Sequence, residues 1–166
     1  MNKLNKIVLS LAATATLVSA TGTLNAAATN SNLNVTAAVA DVCVINSTAD
    51  VAFGTLTPGG PANNDANGSV TWRCTSGTGV SISIDGSTTR AMTGGTNGDS
   101  LTYQLYTDTA RTNVFTPEGG AGNVADTGAG MSTPVVTNIH GRVLDADVAT
   151  VSADTYSDVV SVTLTF

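Results

Sequence analysis

The chain has 166 residues, enough for one domain, and it contains 17 glycines but only 4 prolines. Short β-branched runs separated by Gly, Asn and Asp favour an all-β sandwich or barrel over a helical fold. Beyond an N-terminal basic segment four arginines face twelve carboxylates and no lysine remains, so the formal charge of this part is −8. That charge argues against nucleic acid and anionic membranes as partners.

Residues 1–28 have the organisation of a secretory signal peptide. Residues 1–6 are short and basic, residues 7–18 are apolar, and small residues follow with cleavage sites at 25–28. About a dozen apolar residues are too few to span a bilayer. We therefore expect export and cleavage, with no stable membrane insertion.

A period-two pattern follows the predicted cleavage site. Its apolar members are Leu33, Val35, Ala37 and Val39. Such alternation predicts a β-strand. The pattern breaks at Asp41 and resumes at Cys43, so we place a boundary there, with residues 29–40 as a separable N-terminal strand and residues 41–166 as the folded domain. The alternative is one long first strand that contains a bulge.

Cys43 and Cys74 are the only two cysteines. In an exported protein an even pair predicts a disulfide bond. Closing a loop of about 31 residues would stabilise the fold by roughly 3–4 kcal/mol. Cys74 shares its strand parity with Trp72, so we expect the disulfide to face the core beside the single tryptophan. No Cys-x-x-Cys motif supports a redox role.

Further short strands are predicted from the same alternation. They cover residues 51–56, 70–74, 80–84, 101–105 and 135–143, with polar loops at 61–68 and 117–130 and a linker at 145–154. The last stretch, residues 156–166, ends in an alternating strand whose apolar members are Val160, Val162, Leu164 and Phe166. We expect this strand either to lie centrally in the sheet or to have an open side that another segment pairs with.

No group of residues predicts catalysis or cofactor binding. His140 is the only histidine, and there is no Gly-x-Ser-x-Gly nucleophile turn. Asp145 and Asp147 lack the glycine and distal glutamate of a calcium loop, so they are predicted to lie in a solvated linker. The glycine-rich residues 119–122 lack the lysine of a phosphate-binding loop. We therefore predict no catalytic residue, no metal and no cofactor.

Several short motifs occur in a particular order along the chain. They are Cys43-Val44, Phe53-Gly54, Cys74, Ile84-Asp85-Gly86, Arg90-Ala91-Met92, Leu105-Tyr106-Thr107-Asp108, Gly141-Arg142 and Tyr156-Ser157-Asp158-Val159-Val160. Together with the two terminal strands, this order resembles the spore coat protein U domain family across residues 32–166. That family includes major subunits of archaic chaperone–usher pili such as the Csu type.

The resemblance implies an incomplete immunoglobulin-like sandwich of six strands that is completed by a donated seventh. A periplasmic chaperone first occupies the position of the missing seventh strand and is expected to bind the C-terminal carboxylate, here on Phe166. After passage through an outer-membrane usher, the N-terminal strand of a neighbouring subunit replaces it. Residues 29–40 would be the donor in this chain, and the acceptor edge, which also binds the chaperone, would comprise Val160, Val162, Leu164 and Phe166.

A donor at one end and a groove at the other give a heterologous contact, which propagates into a fibre of identical or related subunits. The expected function is therefore that of an extracellular pilus subunit that supports surface attachment and biofilm formation. Two alternatives stay open. A secreted coat or matrix protein of the same fold would hold its own N-terminal strand in the groove, and a secreted hydrolase would depend on His140.

Overall fold

The computed structural model describes residues 26–166, so the predicted signal peptide lies almost entirely outside the described residues. The chain divides into the units Met1–Ala37 and Ala38–Phe166. In the first unit, residues 26–37 are exposed and have no regular secondary structure. Within the described part of the chain, no helix is both long and apolar enough to cross a membrane.

The described residues of the second unit form nine strands and one short helix. In chain order these are β1 (Cys43–Ala49), β2 (Asn63–Cys74), β3 (Gly79–Ile84), β4 (Arg90–Gly94), β5 (Ser100–Tyr106), β6 (Val124–Thr127), β7 (Val135–Leu144), α1 (Asp145–Val148), β8 (Tyr156–Ser157) and β9 (Val162–Thr165). A six-stranded sheet has the order β1-β2-β7-β5-β4-β8, and a three-stranded sheet has the order β6-β3-β9. The predicted all-β sandwich is confirmed, although it is divided into more segments than the six strands expected.

The core lies between the two sheets. Most of its side chains come from the strands, whereas Phe115 comes from the connection between β5 and β6 and Val148 from α1. The buried members are Val70, Trp72, Cys74, Val80, Ile82, Ile84, Leu101, Tyr103, Leu105, Phe115, Ile139, Val143 and Val148. Burying each large aliphatic side chain contributes about 1.5–3 kcal/mol relative to leaving it in water. The alternation of residues 80–84 predicted β3 correctly, because one face of that strand packs on this core.

The predicted disulfide is confirmed. Cys43 lies opposite Cys74 in the antiparallel pairing of β1 and β2, and the two sulfur atoms are bonded. Cys74 and Trp72 are completely buried, as their shared parity predicted. The indole Nε1 of Trp72 donates a hydrogen bond of 3.0 Å to Thr137 Oγ1, which satisfies the one polar atom of this buried ring.

The polar loop predicted for residues 61–68 is mostly strand, because β2 begins at Asn63 and pairs with β7 from Asn63 to Trp72. Its inward residues include Ala66 and Gly68, which are too small to give a hydrophobic alternation. A Cβ on Gly68 would lie 2.5 Å from the carbonyl oxygen of Ala49, so only glycine allows this close approach. The prediction was wrong because pairing with β7 outweighs the weak strand preference of these residues.

Residues 51–56 were predicted to be a strand but have no regular secondary structure. Val51, Phe53 and Leu56 nevertheless pack against the core. Phe53 meets the ring of Tyr103 edge to face, with 6.4 Å between the ring centroids. This rim segment, as we call residues 51–56, is therefore held by its side chains. The predicted loop 117–130 contains β6, and the predicted linker 145–154 contains α1.

A candidate strand-binding groove

The C-terminal stretch is shared between the two sheets. β8 pairs with β4 in the large sheet, whereas β9 pairs with β3 in the small sheet. Residues 158–161, which we call the crossover, connect them. Two hydrogen bonds fix the end of the crossover: the amide of Asp85 donates to the carbonyl of Ser161 (2.9 Å), and the amide of Ser161 donates to Asp85 Oδ1 (2.8 Å). The last eleven residues are thus not one straight strand.

Two of the four predicted acceptor residues lie in β9. Val162 and Leu164 are half-buried and alternate with exposed Thr163 and Thr165. Val160 lies in the crossover and also packs against the core, whereas Phe166 follows the strand and is 60% exposed. The structure therefore places Val160, Val162 and Leu164 along the core and leaves Phe166 outside it.

β9 is an edge strand. Its residues pair with β3 from Ser81↔Thr165 to Ile84↔Val162. No strand within residues 26–166 lies on its other side, because the order of this sheet is β6-β3-β9. An unpaired edge presents a row of backbone donors and acceptors that can accept another strand.

An apolar groove of about 410 Å³ lies beside this free edge. One wall is formed by residues 48–53, including Val51 and Phe53, and the other by Val160 and Val162 of the C-terminal stretch. Its floor consists of the core residues Val70, Ile84, Tyr103, Leu105 and Ile139. A groove with an apolar floor and an unpaired strand at its side is suited to bind an extended segment with alternating apolar side chains.

A second cavity of about 580 Å³ adjoins the first along the rim segment. Leu101, Val148 and Val151 contribute to its lining. The two cavities share Val51, Ala52, Phe53, Met92 and Tyr156 as lining residues, so the apolar surface continues from β9 towards α1. Side chains beyond the short β9 therefore also have apolar surface available to them.

The groove contains a buried polar contact that the sequence did not reveal. The hydroxyl of Tyr103, on the floor of the groove, donates a hydrogen bond to the carboxylate of Asp158 in the crossover. Burial, and secondarily this hydrogen bond, raises the pKa of Tyr103 well above its usual value. Arg90 is 6% exposed, and one of its terminal nitrogens donates to the carbonyl of Asp85. In the sequence, Tyr103 takes part in the alternation of a strand as an ordinary core residue would. No sequence signal therefore identified its contact with Asp158 or the nearby buried Arg90.

The predicted donor residues lie in a part of the chain without regular structure. Residues 26–42 form no strand. Leu33 is 86% exposed, Val35 is 85% exposed and Val39 is 84% exposed, and Ala37 is also exposed. Exposed valine and leucine side chains at every second position are available to a partner.

The residues considered for catalysis or metal binding have structural contacts. His140 Nδ1 lies 2.7 Å from Asn67 Oδ1, and Asn67 also accepts a hydrogen bond from Arg111. Asp145 accepts hydrogen bonds from the backbone amide of Gly59 at 3.1 and 3.2 Å. Across residues 26–166, no group of three or more His, Cys, Asp or Glu side chains is arranged to hold a metal ion.

One solved structure with a similar fold is a chaperone–subunit pre-assembly complex. The chain aligns, at 18% identity and a TM-score of 0.50, with a chain of the CsuC–CsuE chaperone–tip adhesion subunit pre-assembly complex from archaic chaperone-usher Csu pili of Acinetobacter baumannii. The alignment covers 77% of this chain and 40% of that chain. At this identity the likeness shows a shared fold. No curated protein matches the sequence.

The family itself is shown by a longer match. The profile of the Spore Coat Protein U domain matches residues 29–163, which include every described strand except the last two residues of β9. The match also includes the cysteines of the disulfide and both walls of the groove. The chain therefore belongs to the Spore Coat Protein U domain family.

Proposed function

We propose that the chain is a structural subunit of an extracellular pilus and that it polymerises by donor-strand exchange after chaperone–usher secretion. The observation that carries this proposal is the outer edge of β9, which pairs with no strand of residues 26–166 and lies beside an apolar groove. The alternating apolar side chains of residues 29–40 supply a segment that would fit it. Residues 41–166 would be the pilin-type domain that presents the groove.

The donor would contribute both side-chain and backbone interactions. Burying Leu33, Val35, Ala37 and Val39 would contribute on the order of 5 kcal/mol at about 25 cal/mol per Å² of apolar surface. Backbone hydrogen bonds to the free edge of β9 would add to this and fix the direction of the inserted strand. A neighbouring copy is the natural source, because a donor and a groove at different places on one subunit form a head-to-tail contact that repeats.

A periplasmic chaperone would protect the groove before assembly, and an outer-membrane usher would export the subunit. The similar solved structure supports a chaperone partner, since it is described as a chaperone–tip adhesion subunit complex. Phe166 follows β9 directly and is 60% exposed, so this residue is accessible to such a chaperone. The mature fibre would lie on the cell surface and support attachment and biofilm formation.

Deletion of residues 32–40 tests the proposal. Polymers joined by inserted strands should survive mild detergent and dissociate to monomers on boiling, whereas the deleted form should run as a monomer without heating. Asn34→Asp, which changes a side chain of the opposite parity, is the control and should still polymerise. Polymers of the deleted form would contradict the donor assignment. A wild-type chain that is always monomeric would instead support the self-complemented coat or matrix protein.

A further inference from the structure

We propose a second contact between consecutive copies of the chain, in which Val159 of the accepting copy packs on an apolar patch of the donating copy. This patch, which we call the pole patch, consists of Val42, Val44 and Met131 around Arg73. It lies where the predicted donor segment joins the domain. The inference deepens the proposed function and rests on it, because it concerns two copies joined by an inserted strand.

The pole patch is a continuous part of the outer surface. Val44 lies opposite Arg73 in the pairing of β1 and β2. Arg73 Nη1 donates a hydrogen bond of 3.2 Å to the carbonyl of Met131, and the amide of Thr75 donates to the carbonyl of Val42 at 2.9 Å. The three apolar side chains are 46%, 41% and 42% exposed for Val42, Val44 and Met131, respectively. They therefore form an exposed apolar area around one cation.

The residues that connect the predicted donor segment to the pole patch are hydrogen-bonded to the domain. Thr75 Oγ1 donates to the carbonyl of Ala40 at 3.2 Å and accepts from the amide of Val42 at 3.1 Å. Thr78 Oγ1 donates to Asp41 Oδ1 at 2.6 Å. Residues 40–42 are therefore fixed to the turn after β2. If the groove of the accepting copy holds Val39, it must lie close to the pole patch of the donating copy, within the length of about one or two extended residues.

The direction of the added strand decides which end of the groove meets the patch. Every pair of adjacent strands in both sheets is antiparallel. A donor that continues this pattern along β9 would place Val39 beside Val162, at the start of β9. The crossover precedes Val162 directly, so it would face the domain of the donating copy.

Val159 is the apolar group that the crossover presents at this end. It is 91% exposed, more than any other large hydrophobic side chain of residues 26–166. Its amide donates a hydrogen bond of 2.8 Å to Asp158 Oδ1, and the other oxygen of Asp158 accepts from Tyr103. Because the backbone on both sides of Val159 is fixed, its packing on a partner requires little additional ordering.

Charge supports a second copy as the partner. Arg73 lies beside Val44 and Met131 in the pole patch, and exposed Asp158 is the neighbour of Val159. Packing of Val159 on the patch of another copy would bring these opposite charges close together. In a chain with four arginines against twelve carboxylates after the predicted leader, few surface positions offer such a match.

Cross-linking in assembled polymers tests this contact. Full-length chains that carry Val44→Cys are mixed with chains that carry Val159→Cys, assembled, and treated with a short thiol-specific cross-linker. The control pairs Val159→Cys with Ala110→Cys, which changes an exposed residue of the turn between β5 and β6. We expect cross-linked heterodimers in roughly tenfold excess over the control, because a persistent contact raises the effective thiol concentration.

The possible results distinguish failure of the second contact from failure of donor-strand exchange. Polymers in which the Val44–Val159 pair cross-links no more than the control would overturn the second contact and leave donor-strand exchange intact. A failure of wild-type chains to form polymers would overturn both. As a separate measurement, Val159→Asp should still polymerise, with a broader distribution of angles between consecutive subunits in electron micrographs. An unchanged distribution of angles would also overturn the inference.

Discussion

The hydroxyl of Tyr103 in β5 donates a hydrogen bond to the carboxylate of Asp158 in the crossover, and this bond joins the floor of the groove to its wall. Phe53 of the rim segment packs on the ring of the same tyrosine. Tyr103 therefore contacts both walls between which a donor strand would lie. Its ring contributes apolar surface to the groove, and its hydroxyl fixes the segment that leads into β9.

Titration of Tyr103 should destabilise the fold in alkali. Burial and the bond to Asp158 raise its pKa above the usual 10.0, so the unfolded chain loses this proton first as the pH rises. The stabilisation is complete below pH 10.0 and declines as the pH rises towards the folded-state pKa. Tyr103→Phe should be less stable by about 1 kcal/mol at neutral pH. Urea unfolding should show this difference shrinking with pH, and a difference that does not change with pH would contradict the assignment.

Gly141 should tolerate no side chain, because a Cβ there would lie 2.5 Å from Val51 Cγ1 and 2.8 Å from Phe53 Cζ. Gly141→Ala should displace the rim segment and lower the free energy of unfolding by about 1–3 kcal/mol. Gly79→Ala is the matched strand control, since nothing lies within 4 Å of its added Cβ. It should change stability by no more than about 0.5 kcal/mol. If the two substitutions lowered the thermal stability equally, the close packing of Gly141 against the rim segment would not be the cause.

Asp65 should stabilise the fold above its pKa and lose this effect in acid. Arg142 donates two hydrogen bonds to its carboxylate, at 2.8 and 3.0 Å, and Arg111 lies 3.2 Å away. These contacts, the Arg142 hydrogen bonds first, lower the pKa of Asp65 below 3.8. Asp65→Asn should therefore cost no more than about 1 kcal/mol at neutral pH, after allowance for solvent screening.

The pH dependence distinguishes this ion pair from a purely steric effect of the substitution. As the pH falls from 3.8 through the lower folded-state pKa, the wild-type carboxylate becomes protonated and its advantage over asparagine should disappear. Denaturant midpoints of both proteins across the acid range measure this. If the difference in denaturant midpoint between the two proteins stayed unchanged after protonation, the charge of Asp65 would not be its cause.

Removal of the disulfide should lower stability substantially. Cys43 and Cys74 are 31 residues apart, so loss of the cross-link should reduce the free energy of unfolding by about 3–4 kcal/mol in the chain-entropy estimate. Cys43→Ala/Cys74→Ala should unfold at a lower denaturant concentration than the oxidised wild type. The reduced wild type serves as the control and should resemble the double variant. Equal midpoints for all three forms would contradict a stabilising role of the disulfide.

Much of the fold was predictable where one face of a strand packs on the core. The alternation of Val80, Ile82 and Ile84 identified β3, and the shared parity of Trp72 and Cys74 placed the disulfide in the core. Small inward residues gave no such signal: Ala66 and Gly68 lie in a strand only because β7 pairs with it. In those positions the partner strand decides the structure.

The groove was predicted less completely than the sheets. The alternation ending at Phe166 indicated an edge that needs a partner, and the structure places a free strand edge at Val162–Thr165. The crossover was not predicted, because the same sequence pattern fits one straight strand or two short strands in different sheets. Its bonds from Asp158 and Ser161 reach residues more than fifty positions away, and local sequence carries no signal of them.

Mixing two defective chains tests donor-strand exchange most directly. Val35→Asp has an altered donor with an intact acceptor edge, whereas Leu164→Asp has an altered acceptor edge with an intact donor. Each variant alone should stay monomeric, and the mixture should form heat-labile dimers that grow no further, since only one productive junction exists. Polymerisation of either variant alone, or a mixture that yields no dimer while wild-type chains polymerise, would contradict the proposed pairing of residues 29–40 with β9 of another copy.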